Sequence, residues 1–141
     1  MLQSTFNPQR DTEYDKTKLA LDAMGAMGVC APGVSTNIDL PLPDDVLIDG
    51  ISYNVIGGVF GDYINLQVID LNGTYTGAPG TVLNQFATKW YVAQNQSSAT
   101  QIKSKYPAKI LGGMALRLIY NSVGDTPANV AVNYELHKVL I

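Results

Sequence analysis

Charge is scarce in this sequence. Only 15% of its 141 residues are Asp, Glu, Lys or Arg, while 46% are hydrophobic; an ordinary soluble domain carries roughly 25% charged residues. Uncharged polar side chains or partner subunits must therefore cover much of the surface. A polar but uncharged surface is cheap to desolvate, which hints at contact with other subunits. Cys30 is the only cysteine. An intrachain disulfide and a cysteine-based metal cluster are thereby excluded, and a reducing compartment of assembly is expected. The chain opens Met1-Leu2-Gln3-Ser4-Thr5-Phe6-Asn7-Pro8, without the basic and apolar regions of a secretory signal. No apolar run approaches the ~20 residues of a spanning helix, so no membrane partner is expected. The net charge of −3 supplies no sequence-independent attraction to nucleic acid, which needs Lys and Arg to displace phosphate counterions.

These shortages narrow the chemistry. His137 is the only histidine. A general base needs an orienting partner and a nucleophile in reach, and no serine sits in a Gly-x-Ser-x-Gly elbow. His137 is expected to be structural or exposed. Zinc is not expected with one Cys and one His. Asp44, Asp45, Asp49, Asp62 and Asp70 lie in or beside turns and are the candidates for calcium, but they form no EF-hand loop; forming turns is their expected role. Only two glutamates exist, Glu13 and Glu135, and no motif provides the paired-acid geometry of a glycosidase. Gly57-Gly58-Val59-Phe60-Gly61 lacks the Lys and Ser/Thr of a phosphate loop, and a strand follows it where a helix should. Trp90, Tyr91 and Tyr63 are candidates for stacking on sugar or nucleobase, against the simpler reading of Trp90 as core and Tyr91 as sheet surface. The chain is expected to hold no catalytic residues, no cofactor and no metal site, and not to be an enzyme.

Periodicity dominates what remains. Residues 1–11 read as an extended arm. Thr12-Glu13-Tyr14-Asp15 resembles a capping box, and Ala20, Ala23, Met24 and Met27 fall at helical spacing, so a short helix is expected there. Residues 28–35, which contain Cys30, read as a linker. From Thr36 the period becomes two. Ile38 and Leu40 mark a strand that Pro41 and Pro43 confine to an edge. Val46–Ile56 follows, with a kink expected at Asp49-Gly50. Tyr63–Asp70 alternates cleanly, and Leu71–Gly80 is rich in turn residues. Val82–Val92 is a strand, and residues 93–106 read as a polar contact loop. Met114–Tyr120 and a last strand from Asn129 complete the pattern. Six to eight strands so spaced specify an all-β fold, an antiparallel β-sandwich or jelly roll, with an N-terminal extended arm and short helix. The expected division is an arm, helix and linker over 1–35 and a sandwich over 36–141. The expected core is Ile64, Leu66, Val68, Phe86, Trp90, Leu116, Leu118, Val130, Val132 and Leu136.

Charge is also unevenly placed. Residues 1–62 hold nine acids and three bases, a balance of −6, and residues 63–141 hold three acids and six bases, a balance of +3. Either this is compositional scatter, or the subunit is dipolar and meets its neighbours acidic face to basic face.

Four segments carry a likeness: Gly61-Asp62-Tyr63-Ile64-Asn65-Leu66-Gln67-Val68-Ile69-Asp70, residues 82–92, residues 106–118, and the ending Asn133-Tyr134-Glu135-Leu136-His137-Lys138. Over roughly residues 36–138 the pattern resembles small virion-associated structural proteins of tailed bacteriophages. The resemblance implies a virion component, foremost a capsid decoration (cement) protein, assembled in the host cytoplasm. Its partners would be other virion proteins and copies of itself in a homo-oligomer. The alternatives are a neck, tail or fibre component, and a glycan-binding module for host recognition. The match is one of pattern, so it carries no catalytic residues, and the arm lies outside it.

Overall fold

A computed structural model describes residues 21–92 and 100–138. Eight strands are present: β1 Leu21–Cys30, β2 Ser35–Pro41, β3 Val46–Ile56, β4 Tyr63–Asp70, β5 Thr81–Tyr91, β6 Thr100–Ile110, β7 Met114–Asn121 and β8 Ala128–Lys138. Antiparallel pairs join β1 to β8, β2 to β7, β3 to β6 and β4 to β5. The chain is thus one long hairpin with its tip at residues 71–80. It is rolled up so that β3 also lies against β8 and β4 against β7. The result is two four-stranded sheets, ordered β1-β8-β3-β6 and β2-β7-β4-β5. Eight antiparallel strands in this double-sheet order make a jelly roll.

Alternation explains which side chains enter the space between the sheets. In β8, Val130, Val132, Tyr134 and Leu136 point inward and are at most 2% exposed, whereas Asn129 and Asn133 are exposed. Ile51, Tyr53 and Val55 of β3 meet them in the same layer. The second sheet supplies Ile38, Leu40, Ile64, Leu66, Val68, Leu116, Leu118 and Tyr120 to one contiguous cluster. The kink expected in β3 is real: its register against both neighbours shifts between Ile48 and Gly50, a bulge centred on Asp49.

Four expectations need correcting. The short helix is not formed over its described residues, and the 28–35 linker shrinks to residues 31–34, because Leu21–Cys30 is a strand with ten consecutive partners on β8 and Ser35 opens β2; Ala20 and the capping box lie outside the described residues. The real period is two. Met24, Ala26, Gly28 and Cys30 turn inward, while Gly25, Met27 and Val29 are exposed. Ala, Met and Gly have little intrinsic strand preference, and long-range pairing overrides it. Cys30 is accordingly not in a linker but fully buried. The contact loop of 93–106 is shortened at its C-terminal side, where Thr100 onward pairs with β3; residues 93–99 lie outside the described residues. Phe86 is 36% exposed because β5 is an edge strand whose pairing with β4 shifts three times. Trp90 pairs with Ile64 through its backbone.

Candidate interaction surface

The end of the sandwich formed by the β1–β2, β3–β4 and β7–β8 connections is tied together by two buried polar side chains. Asp62 is 1% exposed. Its carboxylate accepts hydrogen bonds from the Val59 amide at 3.1 Å, the Val123 amide at 2.8 Å and the Tyr120 hydroxyl at 2.5 Å. Its own carbonyl accepts from the amide of Val92, where the chain leaves β5. Ser122 does the same for the first connection: its hydroxyl accepts from the Gly33 amide at 3.2 Å, and its amide donates to the Val34 carbonyl. Gly57 has φ of +89°, and a Cβ there would lie 2.7 Å from the Pro127 carbonyl oxygen, so only glycine lets these loops approach so closely. Burial, then the hydrogen bond to Asp62, pushes the Tyr120 phenol far above its usual value.

These clamped loops hold apolar side chains in solvent. Phe60 is 84% exposed, Val123 59% and Val34 52%. On the outer face of the first sheet, Met27 and Val29 of β1 and Ile56 of β3 are 81%, 68% and 56% exposed. They line a shallow depression of about 380 Å³ with Asn54, Asn129 and Ala131. The Asn54 Oδ1 is buried without a hydrogen-bond partner among the described residues. Scattered exposed apolar residues are ordinary on a monomer, but a contiguous group marks a contact surface.

The outer face of the second sheet has the opposite character. Asp39 of β2, Arg117 of β7, Gln67 of β4 and Gln85 of β5 form a row across all four strands. Arg117 grips Asp39 through Nε at 2.7 Å and Nη2 at 2.9 Å, and the Gln67 amide donates to Gln85 at 3.2 Å. Nearby Tyr63 and Tyr91 meet at a tilted 5.7 Å, and the Lys89 ammonium lies 5.8 Å from the Tyr63 ring.

The sequence-nominated residues are not brought together. Asp62 organises one end and Asp70 the other, where its Oδ2 accepts from the Tyr75 amide, the Thr76 amide and the Thr76 hydroxyl at 3.0, 2.7 and 2.7 Å. Burial raises the Asp70 pKa, but the Thr76 and Tyr75 hydrogen bonds prevail and hold it below the ordinary 3.8. Asp45 accepts from the Gly112 amide at 2.8 Å. The His137 Nε2 lies 3.5 Å from Asp49 on the outer face of the first sheet. Among the described residues no three His, Cys, Asp or Glu side chains gather into a metal-binding group. Sequence reasoning missed Met27, Val29 and Ile56 as a surface. Its one available signal was the absence of any charge from Ala23 to Ile38.

No family model matches the chain, and no curated protein matches it. Among solved structures, a chain of the cyanophage Pam1 capsid asymmetric unit is similar at a TM-score of 0.43 and 17% identity, over 82% of this chain and 86% of that one. The infectious bursal disease virus VP2 subviral particle is similar at a TM-score of 0.41 and 12% identity, over 83% of this chain and 32% of that one. The chain therefore spans about a third of the VP2 length. At this level of likeness no neighbour's role transfers to the chain.

Proposed function

We propose that the chain is a structural subunit of a phage virion, a capsid decoration protein whose sandwich sits on the shell and whose residues 1–20 lace it to neighbouring subunits. The carrying observation is the apolar depression lined by Met27, Val29 and Ile56, with Phe60 and Val123 also exposed on the connecting loops, on a chain with 15% charged residues. Exposed apolar residues grouped in this way mark a site of contact with a partner. The jelly roll agrees with this reading, since the architecture is used in viral capsid domains; it also serves lectins and cupins, so it does not choose the function alone. The virion assignment rests on the resemblance of residues 36–138 to virion-associated proteins. Contacts through an arm add to those of the domain, because linked contacts raise each other's effective concentration.

Heads assembled without this chain test the proposal. Purified chain should bind them at a fixed copy number and raise the temperature at which they release DNA. Heads that neither bind it nor gain stability would refute the decoration role. Binding confined to tails or fibres would move the chain elsewhere in the particle.

A further inference from the structure

A jelly roll has four sheet edges, and natural edges are blunted against pairing by proline, lysine, bulges or short length. Three of the four edges here are blunted. β2 has seven residues and ends at Pro41. β5 changes register with β4 three times and holds Lys89 at a φ of 53°. β6 contains Pro107 and three lysines, Lys103, Lys105 and Lys109, and its partners on β3 jump from Ala108 to Lys103. β1 has none of these devices. It runs ten residues in unbroken register with β8, without proline and without charge from Ala23 to Cys30. Among the described residues nothing pairs with its outer side. That side presents alternate backbone N–H and C=O groups over about 33 Å of strand.

We infer that β1 is a self-association edge: two copies pair β1 to β1 antiparallel about a two-fold axis at Ala26, joining their first sheets into one continuous eight-stranded sheet. A two-fold contact must be self-complementary, since each residue pair occurs twice. Centring on Ala26 meets that demand. It sets Met27 opposite Gly25 of the second copy, Met24 opposite Gly28 and Val29 opposite Ala23, so each large residue lies across from a small one. Cross-strand pairs of this kind are the unit of sheet stability. The exposed Met27 and Val29 and the depression leading to Ile56 adjoin the same edge, so the pairing covers apolar surface as well as backbone. Residues 1–20 of the same chain are the rival occupant of this edge, and the test separates the two. The inference does not depend on the virion reading.

Sedimentation of the full chain over a concentration series should show a species of twice the chain mass. Met27→Lys and Val29→Lys place a charge on side chains that face solvent in the single copy, so folding is preserved; circular dichroism checks this. Each should weaken the dimer at least tenfold, whereas Val82→Lys on the β5 edge should leave it unchanged. In a Cys30→Ser background, Ala26→Cys should give a disulfide-linked dimer on mild oxidation, because position 26 faces itself across the axis. A chain that stays monomeric at every concentration overturns the inference, as expected if its own residues 1–20 fill the edge. So does a dimer indifferent to both lysines, or one the lysines disrupt but position 26 does not trap.

Discussion

Replacing Asp62 by Ala tests the reading of the clamped end directly. The carboxylate is 1% exposed and accepts from Val59, Val123 and Tyr120. Val59 and Val123 lie in loops, and water can take over part of their amide bonding once the carboxylate is gone. Tyr120 cannot recover in this way, because it is fully buried and its hydroxyl would be left without a partner at about 1–3 kcal/mol. With about 1 kcal/mol for each loop amide, the substitution should cost about 3–5 kcal/mol. That is a large share of the roughly 5–15 kcal/mol by which a domain is stable. Denaturant unfolding should show the loss as a lower midpoint at constant slope. Tyr120→Phe alone should cost about 1–2 kcal/mol, and the double mutant should show coupling of about 1–3 kcal/mol. Tyr134 is the internal control. It is equally buried, yet its hydroxyl has no hydrogen-bond partner among the described residues, so Tyr134→Phe should be neutral or stabilising. A cost below about 1 kcal/mol for Asp62→Ala, or additivity of the two substitutions within about 0.5 kcal/mol, would refute the clamp.

Leu66→Ala, at a fully buried position of β4, should cost about 2–5 kcal/mol in the same assay, whereas Phe86→Ala on the exposed edge should cost under about 1 kcal/mol. Asp70 has a lowered pKa in the fold; its contribution is present above the unfolded value of 3.8 and is lost as pH falls through the lower folded value. Asp70→Asn should therefore flatten the pH dependence of the melting temperature between 3.8 and the lower folded value. Cys30 is buried, and burial raises its pKa, so the thiol should resist alkylation until the chain unfolds; Cys30→Ser should cost about 1–3 kcal/mol for burying a hydroxyl. Removing residues 1–20 deletes no described strand and should leave the melting temperature nearly unchanged. Removing residues 1–27 takes seven of the ten β1 partners from β8 and should lower it by at least about 10 °C, at roughly 3 °C per kcal/mol.

Local pattern was enough for the strands whose neighbours only confirm it. In Tyr63–Asp70, in the inward set Val130, Val132, Tyr134 and Leu136, and at the bulge beside Asp49, side-chain alternation is written in consecutive residues, and a half-buried sheet needs little else. The all-β class and the turn role of Asp62 and Asp70 were legible for the same reason. Tertiary structure decided the rest. Ala23 to Cys30 mixes Ala, Gly and Met in an order that satisfies a helical and an extended spacing, and only its eight partners on β8, about a hundred residues away in the chain, select the strand. Whether Phe86 is core or surface depends on β5 lying at an edge, which its own residues do not encode. The partners of Asp62 and the meeting of Met27 with Ile56 likewise exist only once the hairpin is rolled. Pairing order is a long-range property. One sequence records the period of each strand but not which strand will lie beside it.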